Sequence, residues 1–448
     1  MLFNQGNPYR KGLPEVLRLG REDFHFGIST VNLAAVNRIA RWSVFTFMAA
    51  DDPALSASMF DDLMEMKSIG STQDVHISAI FIGPLLTDSF FLRFNPETSF
   101  SEDIILRFLR INSDQKTLLE TIINNAAIFP SEKKILILSG HGNGWKGLLP
   151  DLKSWKMYKE KGIALPAGDL DPNLQHLQEC YQRTMQAIRS RFTPDEEYHG
   201  ATFDVVAFDA CKMANVEALV LYSDKVPYII ASEAPEAGTG YPYDLILRKL
   251  ADHPEMDPEE LAKQIVASLN KYYQSPDDHE LSKEFTQAVF DGRYLPGLCD
   301  RIGSLASALI SGINEKSFPV IKDCIRRTCL FNGGFMDLIG FALNLENAWI
   351  SPEVSLKARS LIDYFELSGL VLYKEVAGGK HLPNGLSIYA PTPDDFSQDY
   401  LDLLAILPSS FLKWTLFLGL YYSWLSGEEA TKNPLLPFLS QVIHSSQD

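Results

Sequence analysis

The sequence predicts an α/β fold: a doubly wound, mostly parallel sheet flanked by helices, followed by a mainly helical C-terminal region. Three observations carry this expectation. Phe203 to Phe208 is apolar except for Asp204, the pattern of a strand buried on both faces of a parallel sheet. The period then turns helical at Met213, Val216, Leu219 and Val220. Lys134 to Leu138 (KILIL) is a second short buried-strand pattern, and it runs into the glycine-rich turn Ser139 to Gly144. Upstream of both, strand and helix patterns alternate, as a doubly wound core requires.

Taken in order, residues 1–40 have mixed character and no strong period, and are read as an N-terminal extension. They lack the basic start and apolar core of a secretory signal. A core domain is expected over 41–250. Trp42 to Met48 is strand-like and ends in an acidic turn with Asp51 and Asp52; Leu55 to Met66 then has helical spacing. Val75 to Ile82 is a second strand and Phe90 to Phe94 a short hairpin arm. Ser101 to about Asn124 reads as a helix, with Ser101 and Asp103 as capping residues. Residues 146–200 form a long polar insertion rich in Lys and Arg. Pro227 to Ala231 is another buried strand. It leads into a loop, Ser232 to Gly240, shaped by Pro235 and by Pro242 beyond it.

The region 251–448 is expected to be mainly helical and packed on the core. Asp257 caps a helix to Tyr273, and Leu298 to Ile313 and Phe318 to Phe331 continue the helical pattern. Gly385 to Ala390 is one more strand, expected to return to the sheet edge. Phe411 to Leu425 falls short of the ~20 apolar residues a membrane span needs and contains Lys413, so it reads as a buried helix.

A chain of 448 residues exceeds one ordinary core, and an apolar content of 46% excludes a disordered one. The net charge of −17 argues against nucleic acid or anionic membrane as partners and suits cationic peptides. The cysteines Cys180, Cys211, Cys299, Cys324 and Cys329 are odd in number and sparse, which is no disulfide framework. Nor does any Cys/His spacing suggest zinc. Reduced thiols fit a cytoplasmic protein, and secretion without an N-terminal signal is compatible with the same features.

The chemistry concentrates at two strand ends. Cys211 follows the second strand pattern where a helix is expected to open, a place where backbone N–H groups and the helix dipole favour a thiolate. His141 follows the first, between Gly140 and Gly142. Ligands in open α/β sheets bind outside the carboxyl ends of the strands, so the two residues face one crevice if their strands are neighbours. Imidazole titrates in the range that a thiol nucleophile needs from a base. A lone Cys or His in such a turn is more commonly a packed residue; the two together, in this order, single out a catalytic pair. His176, His199 and Cys180 have no partner pattern, and Cys299, Cys324 and Cys329 read as buried bystanders.

At these residues the sequence resembles the caspase-like cysteine peptidases, and within them the clostripain family. The likeness rests on WSVFTFMAADDPA (Trp42 to Ala54), LSGHGNGW (Leu138 to Trp145), FDACKMAN (Phe208 to Asn215) and ASEAPEAGTGYPY (Ala231 to Tyr243). FMDLIGFA (Phe335 to Ala342) and NGLSIYAPT (Asn384 to Thr392) extend it. The resemblance implies a caspase-like fold and a cysteine endopeptidase with a Cys211–His141 dyad acting on peptide or protein substrates through a thioester. Backbone N–H groups of Gly142 and Cys211 would meet the oxyanion. Asp209 would receive a basic P1 side chain, its alternative role being a cap on the following helix. Ser232, Glu233 and Glu236 are further substrate-binding candidates, with the second pocket acid left open. Self-cleavage between His141 and Cys211 is implied at the insertion, the alternative being an uncut, solvated excursion with basic surface residues. No cofactor is required; calcium is compatible with the carboxylates Asp51, Asp52, Glu233 and Glu236, although no EF-hand loop is present and no metal ligands are assigned. Two alternatives stay open: a caspase-fold binding module without turnover, and a thiol acyltransferase or transpeptidase.

Overall fold

The computed structural model describes residues 39–50, 52–83, 89–108, 129, 131–147, 203–223, 226–274, 285–377, 383–427 and 433–445. The N-terminal extension to residue 38, Asp51 and most of the insertion, with His176, Cys180 and His199, lie outside them. In chain order the elements begin with β1 (Ala40–Ala49), α1 (Pro53–Ile69), β2 (Val75–Ile82), β3 (Ser89–Arg93), α2 (Phe100–Asp103) and β4 (Ile104–Phe108). There follow β5 (Ser131–Ser139), β6 (Val205–Asp209), α3 (Val216–Val220), β7 (Tyr228–Ala231), α4 (Tyr243–Asp252), α5 (Pro258–Tyr273) and β8 (Phe285–Asp291). Next are α6 (Leu295–Gly312), α7 (Phe318–Arg327), β9 (Leu330–Phe331), β10 (Phe335–Asp337), α8 (Leu338–Ala348) and α9 (Pro352–Leu367). The chain closes with β11 (Val371–Ala377), β12 (Ser387–Tyr389), α10 (Asp399–Leu403), α11 (Ser410–Ser426) and α12 (Leu436–Ser445).

The chain divides into two compact units. The first comprises Met1–Gly142, Gly147–Ala210 and Ala237–Tyr272. Its strands run in the order β6-β5-β1-β2-β3-β4. β6, β5, β1 and β2 are mutually parallel, and β3 and β4 add an antiparallel edge. The apolar runs that predicted parallel strands are buried accordingly: every residue of β2 and of β6 is buried. The segment leading into α5 is tied to this sheet through Trp42, whose Nε1 donates to the carbonyl of Met256 at 3.2 Å. Asp257 caps the helix as predicted, Oδ1 accepting from Glu260 N at 2.8 Å and Glu260 Oε2 accepting from Asp257 N at 2.9 Å.

One prediction fails here. Ile104 to Phe108 is the strand β4, not the interior of a helix. A helical turn does begin here, but its cap is Ser99 rather than Ser101 or Asp103: Glu102 Oε2 accepts from Ser99 N at 2.8 Å, and the helix lasts one short turn. The β-branched pair Ile104 and Ile105 then takes up the free edge of β3, so tertiary pairing overrides the local helix signal.

The second unit comprises Asn143–Lys146, Cys211–Glu236 and Tyr273–Asp448. β7, β8 and β11 form an antiparallel run within it. The expected strand at Gly385 to Ala390 forms as β12, but it joins a separate three-stranded sheet with β10 and β9 rather than returning to the main sheet edge. The pairing Met336↔Ile388 explains this, because both side chains are fully buried on that small sheet. Helix α7 stops at Arg327, and Leu330 and Phe331 extend as β9. The rest is mainly helical, as predicted, and α11 buries Trp414, Phe417, Leu418 and Tyr422. Among the described residues no helix is long and apolar enough to cross a membrane.

Within this unit, α3 is closed by a buried carboxyl. Glu217 is fully buried and accepts from Asn215 Nδ2 at 2.7 Å, Tyr389 N at 3.0 Å and Tyr400 OH at 3.0 Å. Burial pushes its carboxyl from 4.5 up to about 7, against the pull of those donors. A raised folded pKa means that this group's contribution to stability is complete below about 4.5 and is lost as pH rises through about 7. Glu217→Gln is therefore expected to flatten the fall in the urea midpoint between about pH 5 and pH 8, and Glu217→Ala to cost about 3 kcal/mol. A Gln variant with the wild-type pH dependence would remove Glu217 as its source.

Candidate active site

His141 comes from the end of β5. Ser139 is its last strand residue and pairs with Asp209, the last of β6; Gly140 N then donates to Asp209 O at 3.1 Å and turns the chain. β1 lies on the other side of β5, with Met48 opposite Ser139. That register brings the acidic turn after β1 to the histidine. Asp52 Oδ2 stands 2.8 Å from His141 Nε2, with the imidazole about one-third exposed (34%) and the carboxylate less so (21%). No third residue for the pair is assignable from sequence, because 89 positions separate Asp52 from His141. The signal was the run of carboxylates directly after the first core strand.

Asp209 is buried rather than displayed. Its Oδ2 accepts from Ser139 Oγ and from Tyr243 OH, each at 2.9 Å. Burial raises its carboxyl from 3.8 to about 6, opposed by those two hydrogen bonds. Asp62 of α1, also buried, is raised well above its ordinary value by burial and then by the charge of Asp209. Gly240 passes between the two carboxylates at φ +64°. A Cβ there would sit 3.1 Å from Asp209 Oδ2 and 3.3 Å from Asp62 Oδ2, so this position requires glycine. Asp209 does not cap α3, a task performed by Asn215, whose side chain accepts from Ala218 N.

Cys211, in the second unit, is partly exposed and lies upstream of α3, which begins only at Val216. The helix dipole expected at the thiol is therefore not adjacent to it. The donor that reaches its sulfur is the backbone N–H of Glu236, at 3.3 Å. Lys212 adopts φ 60°, and its Nζ donates to Asn143 Oδ1 at 2.9 Å and to Asn332 O at 3.2 Å. Trp145 N donates to Asn215 Oδ1 at 3.2 Å. Residues of the GNGW and DACKMAN motifs thus interlock directly, which explains why both motifs carry asparagine.

The other predicted site residues divide. Glu236 adjoins Cys211 and its Oε1 accepts from Gln287 Nε2. Ser232 Oγ is committed to Ala234 O and Thr286 Oγ1, both at 2.9 Å. Glu233 is fully buried; its Oε2 accepts from Gly385 N, its Oε1 has no partner among the described residues, and burial raises its carboxyl well above the usual range. Gly142 is buried beside His141. Among the described residues there is no group of three or more His, Cys, Asp or Glu that could hold a metal ion.

Comparison with known proteins follows from this geometry. A family model described as the clostripain family, peptidase C11, matches residues 46–414. A secreted C11 cysteine protease from Bacteroides thetaiotaomicron, solved with an irreversible peptide inhibitor, shares 15% identity over 85% of this chain and 99% of its own, with a TM-score of 0.52. An inactive zymogen C11 protease from Parabacteroides distasonis shares 19% identity over the same proportions, 85% and 99%, with a TM-score of 0.51. At such identities the likeness is one of fold. No curated protein matches the chain.

Proposed function

The chain belongs to the clostripain family and is a cysteine peptidase, and on that premise we propose that Cys211 and His141 are its catalytic dyad and that it cleaves after Arg or Lys. The observation that carries the reading is the register of β5 against β6. Ser139 pairs with Asp209, and His141 and Cys211 each follow their strand end by two residues. Both then emerge at the carboxyl ends of adjacent parallel strands, where such sheets bind ligands.

In this mechanism the Cys211 sulfur attacks the peptide carbonyl carbon and the carbonyl π electrons move to oxygen. Backbone N–H groups of Gly142 and Cys211 stabilise that oxyanion. His141 gives a proton to the departing amine as the C–N bond breaks, leaving a thioester. Water, deprotonated by the same imidazole, releases the acid and restores the thiol. Asp52 acts through His141: a carboxylate on Nε2 holds the ring and leaves Nδ1 for the reacting groups. Asp209 receives the cationic P1 side chain, and bonds in the basic insertion become self-substrates. Thiol and imidazole suffice for this chemistry, so chelation of calcium is expected to leave the rate unchanged.

Fluorogenic peptides ending in Arg, Lys, Asp, Asn or Leu test the reading, with intact-mass spectra of the same samples reporting self-cleavage. Adding a nucleophilic amine separates hydrolysis from transpeptidation by the ligated product. For Asp52→Asn, kcat is expected to fall about ten- to hundredfold with KM little changed, and the acid limb of its pH profile to shift. A variant with a wild-type profile would limit Asp52 to a surface contact.

A further inference from the structure

At the ends of the strands opposite Ser139 and Asp209, the first unit carries a row of polar side chains that the peptidase reading does not use. Lys134 pairs with Ser43 across β5 and β1, and Ser43 pairs with His76 across β1 and β2. Arg93 of β3 pairs with Ser78, two positions along β2 from His76. In-register partners share a face, as do positions i and i+2, so Lys134, Ser43, His76 and Arg93 lie on one face across four adjacent strands.

Their hydrogen bonding is incomplete in one direction. Arg93 Nη2 lies 3.3 Å from His76 Nδ1. Guanidinium can only donate, so Nδ1 accepts and the ring proton resides on Nε2. That Nε2–H, the hydroxyl of Ser43 and Nε–H of Arg93 are all buried and none has a partner among the described residues. Ser43 is 1% exposed and His76 3%. The carboxylate whose charge acts on Arg93, Asp103, is itself paired with Lys67 at 2.5 Å, and the Arg93 guanidinium lies 5.6 Å from the centre of the Phe129 ring. Three donors without a partner among the described residues and a half-buried cation, with a second cation at Lys134, leave an environment short of acceptors. Burial and the neighbouring Arg93 lower His76 to about 4, so its ring is neutral at ordinary pH and the charge of the row is carried by Arg93 and Lys134.

We propose that this row binds a small oxyanion of the size of phosphate or sulfate, held by Arg93, His76 and Ser43. The oxyanion supplies the acceptors the three donors lack and neutralises the guanidinium in place of a protein carboxylate. The site stands apart from the thiol and does not depend on the peptidase reading.

The test uses the full chain carrying Cys211→Ala, so that self-cleavage does not intervene. Thermal unfolding is followed in phosphate or sulfate against chloride at matched ionic strength, with calorimetric titration of phosphate alongside. A saturable rise in melting temperature with phosphate or sulfate, absent in chloride, is expected. Arg93→Gln should raise the dissociation constant by roughly tenfold or more, and Ser43→Ala by about threefold. Without oxyanion, Arg93→Gln should melt no lower than its parent, because it removes a half-buried charge that no carboxylate among the described residues contacts. The proposal is overturned if the response is unsaturable and equal in parent and variants, if chloride acts as well as phosphate, or if Ser43→Ala binds as tightly as the parent. The Ser43 variant decides the matter alone should Arg93→Gln not fold.

Discussion

Cys211→Ala is expected to lower kcat/KM by at least about a thousandfold for every peptide the wild type cleaves, because it removes the attacking sulfur of the proposed dyad. Cys299 and Cys324 are buried, and burial pushes the Cys299 thiol up to about 12 and raises Cys324 as well. His141→Ala should cost nearly as much, and the double variant little more than either single one, since the two act in one step. The fold should survive Cys211→Ala: the side chain is partly exposed and gives up only weak sulfur contacts to the N–H and the carbonyl of Glu236. Initial rates and unfolding curves on the same preparations separate loss of chemistry from loss of structure. A Cys211→Ala protein that kept a tenth of the wild-type rate would sink the dyad.

The second large effect concerns Asp209. If its carboxylate receives the basic side chain, Asp209→Asn should reduce the preference for Arg over a neutral residue of similar shape by roughly a hundredfold. Because burial holds this carboxyl at about 6, the wild-type preference should itself grow as pH rises through that value. Stability should respond in the opposite sense. With its folded value raised from 3.8, Asp209 contributes fully below that ordinary value, and the contribution is lost as pH climbs through about 6. The amide can retain contacts to Ser139 and Tyr243, so Asp209→Asn is expected to melt above the wild type at neutral pH. An unchanged Arg-to-neutral ratio would return Asp209 to a purely architectural role beside Asp62.

The apolar strands are legible in the sequence because each is a short apolar run ended by a turn residue, and β1, β2, β5, β6 and β7 all lie where those runs do. β8 and β11 were passed over: FTQAVFD and VLYKEVA mix polar residues into strands whose antiparallel pairing needs no continuous apolar run. β4 and β12 show the converse limit, since an apolar run announces a strand or helix without naming its neighbour. At the site, His141 and Cys211 could be named from their strand ends. What surrounds them could not, because Asp52, Tyr243 and Gln287 arrive from 89, 34 and 51 residues away from the groups they touch. Only the register and packing of distant elements determine those contacts.

The helix behind the nucleophile depends on segments made much later. Glu217 is satisfied by Tyr389 and Tyr400, which lie 172 and 183 positions downstream. At about 5–20 residues per second, a ribosome needs on the order of 10–40 s to travel from one to the other. During that interval the thiol already exists on the nascent chain, while the tethers that seat its helix do not. On the proposed assignment of Cys211, the polypeptide carries its thiol through translation before the support behind it is complete, and the order of synthesis itself delays the moment at which the site is assembled.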